Sequence, residues 1–509
     1  MAVQTIQQQV DTLMEAVGAG NLIDSDLKVV NKHGWEWKIL SVVKWILSPL
    51  YSCLGMDAFQ HYRIHNVSQA ILKLCENNAK DLTPQLKTKV VTHLLGTFDI
   101  RSKGKYTKDI EAVRNSILSL GTAPGDPINQ RKALVQNAVA QFAHQLHMRL
   151  ANLTPNASIC FSPVSIIPVL GMILKGMPEE RKQIFLANMG LGALPEPIVH
   201  IGMMEILDDI ASASGDLCSI RYANALAAPV EALIHADYKR GVARDYKGEI
   251  FPISLEAEEA CKAINDWISE KTNGHIKDLL KPDDLKAAEN DPRKAFALLN
   301  AIYFEGKWEK KFREAVNEPF HFAHGGDVQV KMMSLGKTLA CYTGDTFRML
   351  EIPYKSPQGH KLAHLVFLPN PGQNLTDLEA RLTPALIAQC RQTAVKEYYD
   401  VKMPKIDVNV KVDHLLDTLH EMGIPLKGAL PLLGEDAEIK KIIHQAKVKV
   451  DEEGTVAAAA TAAIGMCMAC APPPPPKTFY IDRDYAYYIV DNNTILFQGN
   501  VKDPQALTR

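Results

Sequence analysis

Two thiols, Cys467 and Cys470, stand three positions apart with Met468 and Ala469 between them. Such a C-x-x-C can be half of a four-thiolate zinc site or can close into a disulfide. The sequence has no second pair of this kind, so a metal reading has no support. Two readings stay open: free thiols filling a loop, or a redox-sensitive pair. The nine cysteines are odd in number and scattered, which favours mostly reduced thiols over a disulfide framework. Other sets that could do chemistry fail on spacing. Gly336-Lys337-Thr338 would end a phosphate-binding loop, but the first glycine of that loop falls on Lys331. His61 and His65 are four apart, and Tyr62, Arg63 and Ile64 between them include no general-base glutamate. No Gly-x-Ser-x-Gly elbow is present. The chain does not read as an enzyme, and neither a cofactor nor a metal is expected.

The segment carrying the thiols is informative for what it lacks. Asp451-Glu452-Glu453 leads into Gly454 and then a run of very small residues, and Pro472 to Pro476 close it. Alternate side chains of an extended chain point to opposite faces. One face would carry Thr455, Ala457, Ala459, Thr461, Ala463 and Gly465, all small and uncharged. The other would carry Val456, Ala458, Ala460, Ala462, Ile464 and Met466. Such a ribbon could slide between two strands without a steric clash or a buried charge. Composition alone also fits an Ala-rich linker, or a helix stopped by the prolines. Strand-like sequences flank the segment at 447–450 and 485–490.

The segment resembles the reactive-centre hinge of serpins, E-E-G-T-x-A-A-A-A-T, which stands here as Glu452-Glu453-Gly454-Thr455-Val456-Ala457-Ala458-Ala459-Ala460-Thr461. Further blocks follow in the family's order. Phe161-Ser162-Pro163-Val164-Ser165-Ile166 resembles F-S-P-x-S-I, and residues 264–274 resemble I-N-x-W-V-x-x-x-T-x-G. Residues 299–308, from Leu299 to Trp308, resemble L-x-N-A-x-Y-F-K-G-x-W with one residue fewer before Asn300. Residues 350–354 and 496–501 complete the set.

This resemblance implies an α+β serpin fold, with about nine helices on three β-sheets and a central sheet able to accept one more strand. It implies a suicide inhibitor of a serine or cysteine protease. The protease attacks the exposed loop, 452–478, and forms an acyl-enzyme; the cut loop then inserts into the sheet before water completes the reaction. Family spacing puts the scissile bond between Met468 and Ala469, with Met466 or Cys470 as alternative cleavage points. Methionine there suits an elastase- or chymotrypsin-like pocket, and papain-like proteases stay open as targets. The resemblance places Trp308 beneath the point where the loop enters. It also places Ser162, Ser165, Asn300 and His444 in the cluster that governs opening of the sheet. A serpin-fold binding or chaperone protein without inhibition is the alternative. Three departures from the family pattern stand out: Val456 for a hinge glutamate, Arg483-Asp484-Tyr485 where many members have His-Pro-Phe, and a divergent block at 424–431.

The elements that must position these residues are partly legible. Residues 129–509 carry the resemblance, with a helix at 133–153 and strands at 295–303, 329–333, 363–368 and 399–403. Residues 1–128 form a separate helical extension, with Val90, Val91, Leu94, Leu95 and Phe98, and Ile110, Val113, Ile117 and Leu120, at helical spacing. Thr122 to Pro127 reads as a linker. The apolar stretch 35–56 contains Glu36, Lys38, Lys44 and Pro49, which fits packing or the membrane surface better than a span. The polar first residues lack a signal-peptide pattern, so a cytoplasmic or unconventionally secreted protein is expected, with Asn152 and Asn374 unglycosylated. Hydrophobic residues make up 47% and charged residues 22%. A net charge of −2 gives no sign of a nucleic-acid partner, and a monomer is expected.

A disulfide between Cys467 and Cys470 would hold both ends of a cut Met468–Ala469 bond together and hinder insertion. Oxidised protein should then fail to inhibit while reduced protein inhibits. Equal inhibition with and without reductant removes the redox reading.

Overall fold

The computed structural model describes residues 131–253, 257–286, 295–412, 414–428, 430–434, 437–453 and 477–508, with short stretches before them at 22–23, 29–30, 72, 75–76, 91, 113–118, 127–128 and 130. The chain forms two compact units, Met1–Arg131 with Ala193–Val199, and Lys132–Gly192 with His200–Arg509. In the first unit Leu22–Ile23 pairs antiparallel with Val29–Val30. Residues 113–118 are helical, with Val113, Ile117 and Leu118 buried, in line with the apolar spacing. The stretch 35–56, with its membrane-surface reading, lies outside the described residues. Among the described residues no helix is long and apolar enough to cross a membrane.

From Arg131 onward there are ten α-helices among the described residues, one of them a five-residue turn. They are α1 (Arg131–Leu153), α2 (Pro163–Gly176), α3 (Glu179–Asn188), α4 (Glu196–Ala213), α5 (Ala236–Tyr246), α6 (Ala257–Lys271), α7 (Pro282–Lys286), α8 (Leu375–Arg381), α9 (Pro384–Thr393) and α10 (Leu415–Glu421). The strands are β1 (Cys160–Phe161), β2 (Cys218–Pro229), β3 (Glu249–Ile253), β4 (Ala295–Gly306), β5 (Arg313–Phe322), β6 (Gly326–Thr343), β7 (Phe347–Pro353), β8 (Leu362–Pro369), β9 (Val395–Pro404), β10 (Ile406–Val412), β11 (Glu438–Val450), β12 (Lys477–Tyr480), β13 (Tyr485–Asp491) and β14 (Thr494–Val501). The strands read from the sequence are present, most of them longer than the pattern suggested.

One sheet has five strands in the order β10-β11-β4-β2-β3. The other strands form a nine-stranded path, β12-β9-β6-β7-β8-β13-β14-β1, with β5 also paired to β6. The three expected sheets are accommodated because β6, 18 residues long, serves two of them. Its first half pairs with β5 and its last residues with β7, while β9 lies along its other side. The five-stranded sheet has the feature that matters most below. β11 pairs directly with β4, and the two run parallel, from Glu438↔Ala295 to Val448↔Phe304.

Continuous apolar runs become strands covered on both faces. Every residue of β8 and of β13 is buried. Helices α8 and α9 cover one side of these strands with Leu375, Leu378, Ile387 and Cys390. Helix α2 starts where Ser162 caps it, accepting the Ser165 N–H at 3.3 Å ahead of Pro163 at the first helical position. Its residues are buried almost all round, which makes it a core helix. The C-terminal strand is tied in by a buried charge. Glu379, 1% exposed, accepts from Asn500 Nδ2 and Lys502 Nζ, each at 2.6 Å, and lies 2.9 Å from His147 Nε2. Burial alone would raise its carboxyl pKa, but the bonds from His147, Lys502 and Asn500 outweigh it and hold it at about 2.

Two of the three sequence departures are absorbed locally, and the third, Val456, lies outside the described residues. Arg483 donates from Nε and Nη2 to the Pro369 carbonyl at 3.2 and 3.0 Å. Tyr485 is fully buried and packs edge-on to Phe320. In the divergent block, Ile424, Leu426 and Leu430 are all buried.

Candidate functional site

The hinge from Gly454 to Thr461 (Gly454, Thr455, Val456, Ala457, Ala458, Ala459, Ala460, Thr461), the reactive-bond candidates Met466, Met468, Ala469 and Cys470, and the pair Cys467–Cys470 lie outside the described residues. What is described is the root of that segment at 451–453 and the sheet beside it.

The root is clamped to the chain that follows β4. Trp308 donates its backbone N–H to the Glu453 carbonyl at 3.1 Å and its indole Nε1–H to the Asp451 carbonyl at 2.9 Å. The Phe312 N–H reaches the Glu452 carbonyl at 2.9 Å. The Glu452 carboxylate accepts the Ala315 N–H at 3.1 Å and Lys405 Nζ at 2.7 Å. Burial opposes ionisation of Glu452, yet the Lys405 bond and the backbone donors bring its pKa below the ordinary value. Glu453 pairs with Lys311. Trp308 is 1% exposed and stacks on Tyr354 at 4.2 Å with ring planes 6° apart. A large flat side chain, sandwiched this way, presents both of its N–H groups in fixed directions. The two acidic residues of the hinge motif therefore anchor the root to the body.

β4 and β11 are parallel, so their C-terminal ends lie at the same end of the sheet. The clamp joins the chain leaving one to the chain leaving the other. A chain that left residue 453 and turned back between them would run antiparallel to both. It would replace one parallel ladder with two antiparallel ones.

Lower on the same two strands the expected cluster is assembled. Asn300 on β4 is in register with His444 on β11 and with Asn224 on β2. His444 Nδ1 lies 2.6 Å from Asn300 Oδ1, and its Nε2 is 3.2 Å from the Ser162 backbone N–H. Ser162 N can only donate, so Nε2 accepts and Nδ1 carries the proton. Asn300 Oδ1 also accepts from Ser165 Oγ at 2.9 Å, and that hydroxyl lies 3.1 Å from the Ser162 carbonyl. Asn300 Nδ2 donates to Asn224 Oδ1 at 2.7 Å, and Asn224 Nδ2 to the Tyr246 carbonyl at 3.1 Å. All these residues are buried. The chain of bonds thus runs from the start of α2 across three strands and is nearly fully satisfied. Ser162, Ser165, Asn300 and His444 are brought together; Trp308 stands apart from them at the root.

Asn224 was missed from sequence. Its signal was available: Ala223-Asn224-Ala225 is a lone polar residue in an apolar strand, as is Leu299-Asn300-Ala301. Burial lowers the His444 pKa to about 3 and does the same to His364, whose Nδ1 is 3.3 Å from Tyr354 OH beneath the root.

These features define a serpin. Residues 137–504 match the family model described as serpin (serine protease inhibitor). A serpin-like protein of Thermococcus kodakarensis is 30% identical over 393 residues, covering 74% of this chain and 87% of the relative. Human serpin B9 is 30% identical over 387 residues, 73% of this chain and 99% of the relative. Human thyroxine-binding globulin, solved in complex with thyroxine, superposes with a TM-score of 0.64 at 22% identity, over 74% of this chain and all of that one. The chain belongs to the serpin family, whose members are in general protease inhibitors rather than catalysts.

The neutral His444 gives a pH signature. The unfolded chain protonates this residue near the ordinary imidazole value of about 6.5, while burial keeps it neutral in the folded state until about 3. The native state therefore loses stability as pH falls from about 6.5 toward 3, and nothing is lost above that window. Between pH 6.5 and 4.5 the loss from this residue is about 2 kcal/mol. Denaturant unfolding of His444→Gln at the two pH values should show a drop smaller than wild type by that order. An equal drop in both proteins removes the assignment.

Proposed function

We propose that the chain is a suicide inhibitor whose loop, 452–478, is cut by a protease and inserts between β4 and β11 while the protease is still attached. The observation carrying this reading is the direct parallel pairing of β4 with β11, with the root clamped at its end. Insertion adds about one backbone hydrogen bond per residue, each contributing roughly 1 kcal/mol net. A ribbon with one face from Thr455 to Gly465 small and uncharged enters without clash. The far side of the segment resumes in β12, which is held parallel to β9 over Tyr399↔Lys477 to Lys402↔Tyr480. An uncut loop is thus tethered to two different sheets, and cleavage frees one end.

The scissile bond is Met468–Ala469, with Met466 and Cys470 as alternative positions. The target is a serine protease of elastase- or chymotrypsin-like specificity, or a papain-like cysteine protease, met by a monomeric inhibitor. Glu453 to Thr461 act as the hinge, Trp308 supports its entry, and Ser162, Ser165, Asn300 and His444 regulate separation of the strands. Residues 1–128 are a helical extension to a domain at 129–509. The likeness to thyroxine-binding globulin favours a second reading, a serpin-fold binding protein that does not inhibit.

Incubation with elastase-, chymotrypsin-, trypsin- and papain-like proteases, followed by a denaturing gel and mass analysis of the cut, separates the two. A covalent complex and a cut at Met468 support inhibition; cleavage without a complex, or no cleavage, supports the binding protein. Thr455→Arg should turn the inhibitor into a substrate, and retained stoichiometric inhibition by that variant counts against the hinge. The cleaved protein should melt roughly 12 °C higher than the intact one, given about ten new hydrogen bonds of roughly 1 kcal/mol each in a domain of this size. An unchanged melting temperature overturns insertion.

A further inference from the structure

A cleft of about 600 Å³ lies where five separate segments converge. They are the chain after α1, the end of β5 with the turn that follows it, the link from β8 to α8, residues 483–484 ahead of β13, and Lys502 after β14. The volume falls within the range of small-molecule sites. Phe322, Pro369 and Leu375 give the cleft a buried apolar lining. Its exposed lining is polar, with Asn156, Gln373 and Asn374.

The charges in the lining are matched, with one exception. Lys502 is bonded to Glu379 at 2.6 Å, Arg483 to Asp482 at 2.5 Å, and His321 Nδ1 lies 2.7 Å from Asp327. Asp484 is 9% exposed and has no such partner among the described residues. Its Oδ1 accepts the Ala323 N–H at a long 3.4 Å. Burial raises its carboxyl pKa to about 6, and the Ala323 N–H, Lys502 and His324 offset this only in part. Asp484 also falls on a departure from the family pattern, so this acid is a feature of the chain rather than of its fold. A buried carboxyl with so little hydrogen bonding costs stability. Here it borders a space large enough for a molecule that supplies the missing donor.

We propose that this cleft binds an amphipathic organic amine, with its ammonium group on the Asp484 carboxylate and its apolar body against Phe322, Pro369 and Leu375. An anion would meet the Asp484 charge and find Lys502 and Arg483 already engaged. A neutral molecule would gain the apolar contacts and leave the carboxylate unpaired. A metal ion lacks ligands, since among the described residues no group of three His, Cys, Asp or Glu could hold one. The site stands whether or not the loop inserts. Binding needs the ionised carboxylate, while an alkylamine stays charged well above neutral pH. With the Asp484 carboxyl at about 6, its ionised fraction falls about tenfold from pH 7.5 to pH 5.0, and affinity falls with it. The other titratable or charged groups facing Asp484 are Lys502, Arg483, His321 and His324. Histidines change charge in the same range, so they need a separate control.

The test is calorimetric titration of the full-length protein with phenylbutylamine, using phenylbutanol and phenylbutyrate as neutral and anionic counterparts. The amine should bind at one site, roughly tenfold or more tighter than either counterpart. Its affinity should fall about tenfold between pH 7.5 and pH 5.0. Asp484→Asn should weaken the amine roughly tenfold at pH 7.5 and flatten the pH dependence. The variants His321→Gln and His324→Gln should both keep that dependence. Gln373→Trp fills the cleft from its exposed side and should abolish binding. Melting curves establish that each variant is folded, and Gln373→Trp decides the matter if Asp484→Asn does not fold. No binding of the amine, or binding no tighter than that of phenylbutyrate, overturns the site. So does wild-type affinity in Asp484→Asn or Gln373→Trp, or a pH dependence that disappears with either histidine.

Discussion

The direct parallel ladder between β4 and β11 is the constraint around which the rest of this molecule is arranged. A parallel pair needs a long crossover and is slightly less stable per residue than an antiparallel one. Here the pair is also stitched by buried polar groups. Asn300 and His444 each spend their hydrogen-bonding capacity across strand boundaries and on Ser162 and Ser165 at the start of α2. Buried polar groups are costly when left unmatched, so the strands either stay together or part in a way that offers new partners. A seam with such all-or-none bonding suits a sheet with two states better than one that deforms gradually.

The segment between residues 453 and 477 is suspended between two bodies of structure. At one end the Trp308 and Glu452 contacts fix the root beside the five-stranded sheet. At the other, β12 continues the ladder of β9, and Lys477 pairs with Glu397. These anchors explain in physical terms why an intact tether and a severed one would behave differently. No contact inside the loop is needed for that difference, only the two attachments.

Much of this was legible in the residues, but unevenly. Long apolar runs such as β8 and β13 announced themselves because both faces are covered. β11 was read only at 447–450, since Lys440, Lys441 and the irregularity beside them break the alternation earlier in the strand. Ser162, Asn300, His444 and Trp308 were reachable only through family resemblance; nothing in their spacing says that they meet. Asn224 could have been flagged as a lone polar residue in an apolar strand. The Glu452–Lys405 and Asp284–Lys441 pairs could not, because separations of 47 and 157 residues acquire meaning only once the sheet exists.

The placement of β13 and β14 carries a consequence for biogenesis. β13 lies between β8 and β14, and β14 in turn pairs with β1, so Gln498 meets Phe161 across most of the domain's length. During synthesis, β8 and the helices that cover it emerge long before the partner that completes their layer. For that interval the nascent polypeptide displays an unpaired edge that is apolar but for His364, a template for unwanted self-association. Translation speed and chaperone occupancy over residues 370–484 should therefore govern how much product reaches the native state.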